Sequence, residues 1–131
     1  MRNAFLLISI VCGGLFLAGL DAGVVSSAHA ACKAVAFNPV LILRSGSREV
    51  IASAKREGCS AEGPLYIQLR HHRAFWFDEA LKTVLISRAR NNVRYRMIYK
   101  CPQVITWKTL FVKAWGRHAE EGESGRPRLW C

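Results

Sequence analysis

Five residues of the chain form a candidate set for general acid–base catalysis. They are His71, His72, His118, Glu120 and Glu121. Histidine titrates near neutral pH, and a His with a second His or a Glu can move the protons when RNA is cleaved by 2′-hydroxyl attack. Neighbouring side chains on a strand point to opposite faces, so His71 and His72 cannot both serve one site. A ribonuclease-like hydrolase using His118 with Glu120 or a second His is therefore one hypothesis, and solvated loop histidines are the alternative.

Metal and cofactor chemistry find little support in the residue spacing. A metal site made of His71 or His72 with His118 would require two separate loops to meet, and no pair of cysteines has the close spacing of a structural zinc site. The chain also lacks the motifs of serine hydrolases, zinc proteases and phosphate-binding loops. We expect neither a metal nor a cofactor.

A second group of residues is suited to binding anions. It consists of Arg70, Arg94, Arg96 and Lys100. The last three project from the same side of one predicted strand, and Arg70 joins them if its own strand is the neighbour. Tyr66 and Trp107 would add stacking surfaces for single-stranded nucleic acid or sugars. The alternative is an ordinary solvated face of an antiparallel sheet.

The first thirty residues have the layout of a secretory signal. A basic start is followed by an apolar stretch over residues 4–20, and Ala28 and Ala30 have the small side chains that a signal peptidase requires. A membrane anchor is the alternative, although this stretch is at the lower limit of a membrane span. We therefore expect a signal peptide at 1–30, a single extracellular domain at 31–131, and no transmembrane segment in the mature chain.

The cysteines agree with export. Cys12 lies in the predicted signal, and four others remain: Cys32, Cys59, Cys101 and Cys131. An even number of cysteines in a small secreted chain indicates disulfides. Three pairings are open, and we favour Cys32–Cys59 with Cys101–Cys131, which would tie the two halves and both chain ends.

The charge of the chain is strongly positive. It has 19 basic and 9 acidic residues, for a formal net charge of +10, and the predicted signal contains one of each sign, Arg2 and Asp21. The whole excess therefore belongs to residues 31–131. Such a field favours anionic partners such as nucleic acid, anionic lipid, wall polymers or acidic polysaccharide, although it also serves solubility alone.

The elements that would position these residues follow a strand-like alternation. Leu65, Ile67 and Leu69 alternate with polar neighbours, and residues 93–100 repeat the pattern. Further strands are predicted at 34–43, 48–55, 107–115 and 127–131, with a polar hairpin loop at 116–125. About seven strands predict an all-β, disulfide-stapled antiparallel β-sandwich of immunoglobulin-like type. The alternative is a small β-barrel with one short helix near 78–88. That segment suits a strand or a helix, and we favour the strand because its surroundings are β-like.

Three consecutive aromatic residues, Phe75, Trp76 and Phe77, interrupt this alternation. A disulfide-tied sandwich commonly has a Trp in its core, so we expect this segment to be buried. An exposed ring would instead contact a partner or a membrane.

Several segments together carry a resemblance to a known group of proteins. They are Gly58-Cys59, residues 65–70, residues 74–78, Tyr99-Lys100-Cys101 and residues 126–131. This arrangement resembles small secreted four-cysteine β-sandwich proteins of actinomycetes, over Cys32 to Cys131. The resemblance implies a secreted β-domain and carries over no functional residues.

The expected function is a non-enzymatic binding module. The partner would be an anionic polymer, a lipid surface or a protein of a host or competitor, and the chain would act as a monomer. The ribonuclease hypothesis and a structural, wall-associated role remain the alternatives.

Overall fold

The part of the chain that the structure describes consists of strands and their connections. The computed structural model describes residues 31–131, and the predicted signal at 1–30 lies outside them. The strands are β1 (Lys33–Arg44), β2 (Ser47–Glu57), β3 (Gly63–His72), β4 (Glu79–Ala89), β5 (Tyr95–Lys100), β6 (Trp107–Gly116), β7 (Ala119–Glu123) and β8 (Arg128–Trp130). The all-β prediction is confirmed, with eight strands where about seven were expected. Within residues 31–131 no helix is long and apolar enough to cross a membrane.

The strands form one continuous, nearly closed sheet in the order β4-β3-β6-β7-β1-β2-β5, with β8 paired to β6. Neighbours are antiparallel except for a single parallel pair between Lys33 of β1 and Glu120 of β7. Across the remaining gap, Lys82 Nζ of β4 donates a hydrogen bond of 2.6 Å to the carbonyl of Ile98 in β5. The architecture therefore lies between the predicted sandwich and the predicted barrel.

One open alternative was decided and one local prediction was wrong. Residues 79–89 form β4, the strand that was favoured over a short helix, because this segment pairs with β3 along most of its length and carries residues that favour strands. The predicted hairpin loop at 116–125 contains β7, which pairs with β6. Gly122 permits this strand, since a Cβ there would overlap the carbonyl oxygen of Ala34 in β1.

The core is filled by small and aliphatic side chains. As expected, Leu65, Ile67 and Leu69 of β3 are fully buried. They pack with inward residues of β2 and β6, which are Val50, Ala52, Ala54, Leu110, Val112 and Ala114. A narrow, close-packed interior leaves little room for an indole ring.

Two disulfides close the fold. Cys32–Cys59 joins the start of β1 to the β2–β3 loop, and Cys101–Cys131 joins the β5–β6 loop to the last residue. This is the pairing favoured from the sequence. It is consistent with an extracellular protein, since disulfides persist in oxidising environments.

Strand register assigns six of the seven connections between strands to one of two ends. His72 pairs with Thr109 and Glu49 with Lys100, so the β1–β2 turn, the β3–β4 loop, the β5–β6 loop and the C-terminus share one end. We call it the aromatic end. The β2–β3 loop, the β4–β5 loop and the β6–β7 turn lie at the other, which we call the Arg56 end.

Candidate functional site

Most exposed large apolar side chains lie at the aromatic end. Of the ten in residues 31–131, seven belong to it: Leu43, Phe75, Trp76, Phe77, Val104, Trp107 and Trp130. Three of them stand out, because Phe75 is 94% exposed, Trp76 77% and Phe77 95%. Single exposed apolar residues need no explanation, but a clustered set indicates an interaction surface.

The expectation that the Phe-Trp-Phe segment lies in the core was therefore wrong. These residues are in the β3–β4 loop, between His72 and Glu79, and not in a strand. Side-chain alternation consequently does not apply to them. The interior has no place for them, since aliphatic residues of β2, β3 and β6 already fill it.

Polar contacts hold the β3–β4 loop at its base. Arg70 donates to the carbonyl of Asp78 at 3.3 Å, and His72 Nδ1 lies 2.9 Å from Asp78 Oδ1. Arg73 forms an ion pair with Glu79. The loop is thus anchored through its flanks, while the three aromatic side chains at its tip are left in solvent.

The fold shifts the pKa values of two groups where the β3–β4 loop joins its strands. The hydrogen bond from His72 lowers the pKa of Asp78, and burial together with Arg73 lowers the pKa of His71. Both shifts favour the neutral imidazole of His71 and the ionised carboxylate of Asp78 at neutral pH.

Basic side chains are also found at the aromatic end. Four of them form no ion pair within residues 31–131: Arg44, Arg48, Lys100 and Arg128. A fifth, Lys108, donates through Nζ to the carbonyl of Cys131. Arg128 also lies over the ring of Trp107, 5.5 Å from its centre, and Trp107 contacts Trp130 at 5.1 Å. The aromatic end therefore combines an apolar tip with a positive rim.

The predicted basic face is divided by the fold. Arg70 does not join it, because β3 pairs with β4 and β6 whereas β5 pairs with β2. Arg94 precedes β5, bonds Ser53 at 3.0 Å and covers the ring of Phe37. Arg96 is exposed beside it, and the two line a shallow depression of about 530 Å³. Lys100 lies six residues from Arg94, about 20 Å along an extended strand, and belongs to the aromatic end.

The candidate acid–base residues do not come together. His71 and His72 are at the aromatic end of β3, whereas His118 is in the β6–β7 turn at the Arg56 end. His118 makes no hydrogen bond or ion pair with Glu120 within the described residues, and Glu120 pairs with Lys33 in the sheet. Neither the two-histidine site nor the metal site considered above can form across this separation.

The two predicted stacking residues, Tyr66 and Trp107, each contact another aromatic side chain. Tyr66 stacks on Trp115 of β6 with ring centres 5.2 Å apart. Trp107 instead contributes to the aromatic end. Leu43, Val104 and Trp130 could not be assigned to one surface from the sequence, because only strand register brings them to the same end.

Comparison with known proteins gives no assignment. No protein-family model matches the chain, and no significant match was found among curated proteins or among solved structures. The function has to be inferred from the surface chemistry of the molecule itself.

Proposed function

We propose that the protein is an extracellular module that docks on anionic lipid bilayers through its aromatic end. The observation that supports this is the exposure of Phe75, Trp76 and Phe77 on a loop whose base is anchored. The three rings would enter the boundary between headgroups and acyl chains. The β-domain would remain in water, so this is attachment to a surface and not a membrane span.

A bilayer fits this surface chemically. Aromatic side chains with a polar atom, Trp above all, are favoured at the membrane interface. Trp76 offers its indole N–H to the headgroups while its ring lies among the first methylene groups. Phe75 and Phe77 supply apolar area on either side of it.

Charge selects the kind of bilayer. The excess of basic residues gives a positive field, and Arg44, Arg48, Lys100, Lys108 and Arg128 are at the docking end. Each Lys or Arg close to an anionic surface contributes about 1 kcal/mol to attachment. Phosphatidylglycerol or phosphatidylserine bilayers should therefore bind the protein, and phosphatidylcholine bilayers should bind it far less.

Sedimentation with vesicles tests the proposal. The full chain is expressed in a secreting host, purified with its disulfides intact and mixed with phosphatidylglycerol vesicles or phosphatidylcholine vesicles. Binding should follow the anionic lipid, and tryptophan emission should shift to the blue as Trp76 leaves water. Salt should weaken binding without abolishing it, because screening removes the charge contribution and leaves the apolar one.

Three results would contradict the proposal. Failure to bind either vesicle at low salt would exclude a lipid partner. Binding without a blue shift would indicate adsorption by charge alone. Retention on heparin or RNA at salt concentrations that release the vesicles would favour a polyanion as the partner.

A further inference from the structure

Arg56 is a charged residue buried without a counter-ion. Arg56 is the last residue but one of β2, is 5% exposed, and forms no ion pair within residues 31–131. Its NH1 donates to the carbonyl of Pro64 at 2.8 Å, and its NH2 lies 3.6 Å from Cys32 Sγ. Among the described residues, Nε has no hydrogen-bond partner. A buried charge usually requires an opposite charge nearby, and residues 31–131 supply no acidic partner to Arg56.

Two glycines make the space that the guanidinium occupies. A Cβ at Gly63 would come within 3.0–3.2 Å of three guanidinium atoms, and a Cβ at Gly116 within 3.1 Å of NH1. The group is therefore held in position by backbone on two sides. A fixed, planar guanidinium is well suited to bind an oxyanion, because little ordering is left to occur on binding.

The same guanidinium lines a cavity that contains further basic groups. The cavity has a volume of about 440 Å³, and Arg117 and His118 from the β6–β7 turn are part of its wall. Within residues 31–131 neither Arg117 nor His118 forms an ion pair. The acidic residue of the wall, Glu62, is 2.6 Å from Arg88 and is thereby neutralised.

We infer that this cavity is a binding site for a small oxyanion, either a phosphate or sulfate group or a carboxylate. Arg56 would supply the buried charge, and Arg117 with His118 would close over the anion from the turn. The site is at the Arg56 end, opposite the surface proposed for bilayer docking. It stands independently of that function, because it rests on a different end of the fold and on different residues.

Titration of the oxidised, exported protein with inorganic phosphate tests the inference. Sulfate and acetate serve as the arms that distinguish tetrahedral anions from carboxylates. Binding should be saturable and should move the amide NMR signals of Gly63 and Gly116. Arg117→Ala should weaken it about tenfold or more, as expected for loss of a charge-assisted hydrogen bond.

Matched variants distinguish binding in the cavity from general electrostatic attraction of anions to the positively charged protein. Arg56→Met keeps the length of the side chain, removes its donors and should abolish binding. Arg90→Ala makes the same change in charge at the same end but outside the cavity wall, and it should bind phosphate like the wild type. If Arg56→Met does not fold, Arg117→Ala and the glycine signals of the wild type decide the question.

The inference is overturned if the folded protein binds none of the three anions saturably. It is overturned equally if Arg117→Ala and Arg90→Ala weaken binding to the same extent, or if the shifted amides lie away from the cavity.

Discussion

Removing the three aromatic rings of the β3–β4 loop should separate binding from stability. In the triple variant Phe75→Ala, Trp76→Ala and Phe77→Ala, membrane attachment should fall steeply while the fold stays intact. The reason lies in the exposure of these side chains, which is 94%, 77% and 95%. Side chains that touch little of the folded protein contribute little to its stability, so the free energy of unfolding should change by less than about 0.5 kcal/mol.

The magnitude follows from the area that docking would bury. Complete burial of a large apolar side chain is worth about 1.5–3 kcal/mol. If docking buries half of each ring, each contributes about 1 kcal/mol, and the three together about 3 kcal/mol. At 1.4 kcal/mol per factor of ten, the partition coefficient onto vesicles should fall by a factor of about 10².

Partitioning onto phosphatidylglycerol vesicles, measured by sedimentation at several lipid concentrations, checks this value. Leu85→Ala is the matched control, because Leu85 is an exposed apolar residue, 49% accessible, in the middle of β4 and away from the loop. A triple variant that binds within threefold of the wild type would refute the proposed docking surface. A variant that loses binding together with its melting transition would show that the rings have a structural role.

Three further outcomes are expected. Acidification should destabilise the protein, because the fold lowers the pKa of His71. The stability that His71 contributes is complete above its unfolded pKa near 6.5 and is lost as the pH falls through its lower folded pKa. His71→Gln should therefore flatten the dependence of the melting temperature on pH between 7 and 5, and an unchanged slope would contradict this assignment. Gly122→Ala should cost about 1–3 kcal/mol in urea denaturation, because its Cβ would overlap the carbonyl of Ala34; a neutral effect would mean that β7 does not lie against β1. Replacing Cys101 and Cys131 together by Ala should lower stability by about 3–4 kcal/mol in the chain-entropy description, and retention of the wild-type melting temperature would exclude this bond as a major constraint.

The strands with strict alternation were predictable from the residues alone. Leu65, Ile67 and Leu69 are buried as the period of two requires, because one face of β3 turns to the core throughout its length. In β5 the pattern was extended too far. Alternation was predicted from Val93, whereas the strand begins at Tyr95 and Val93 is 40% exposed in the preceding loop.

Strand β7 shows where local pattern carries too little information. Residues 119–123 contain three glutamates and a glycine, which are residues that strands usually avoid. Their pairing with β6 depends on the close approach that Gly122 permits, and no property of the segment alone predicts it. Polar composition therefore indicated a loop.

The candidate sites depended on adjacency between distant segments. Arg70 and Arg96 each lie on an outward-facing strand position as expected, yet they belong to strands that are not neighbours. His71 and His118 are separated by the length of β3, which a list of residue types does not reveal. A core position was expected for the Phe-Trp-Phe segment because disulfide-tied sandwiches commonly bury a Trp, and aliphatic side chains occupy that space instead.

Side-chain period and cysteine number are local or additive properties. From them the all-strand character of residues 31–131, the inward-facing positions of β3 and the number of disulfides could be worked out in advance. The residues alone did not show which strands are neighbours or that the exposed rings group at one end. They also did not show that Arg56 lies beside a cavity without an acidic partner in residues 31–131. These features arise from register and closure of the sheet, which depend on many weak pairings between residues far apart in the chain. A contact of that kind exists only when the whole sheet is assembled.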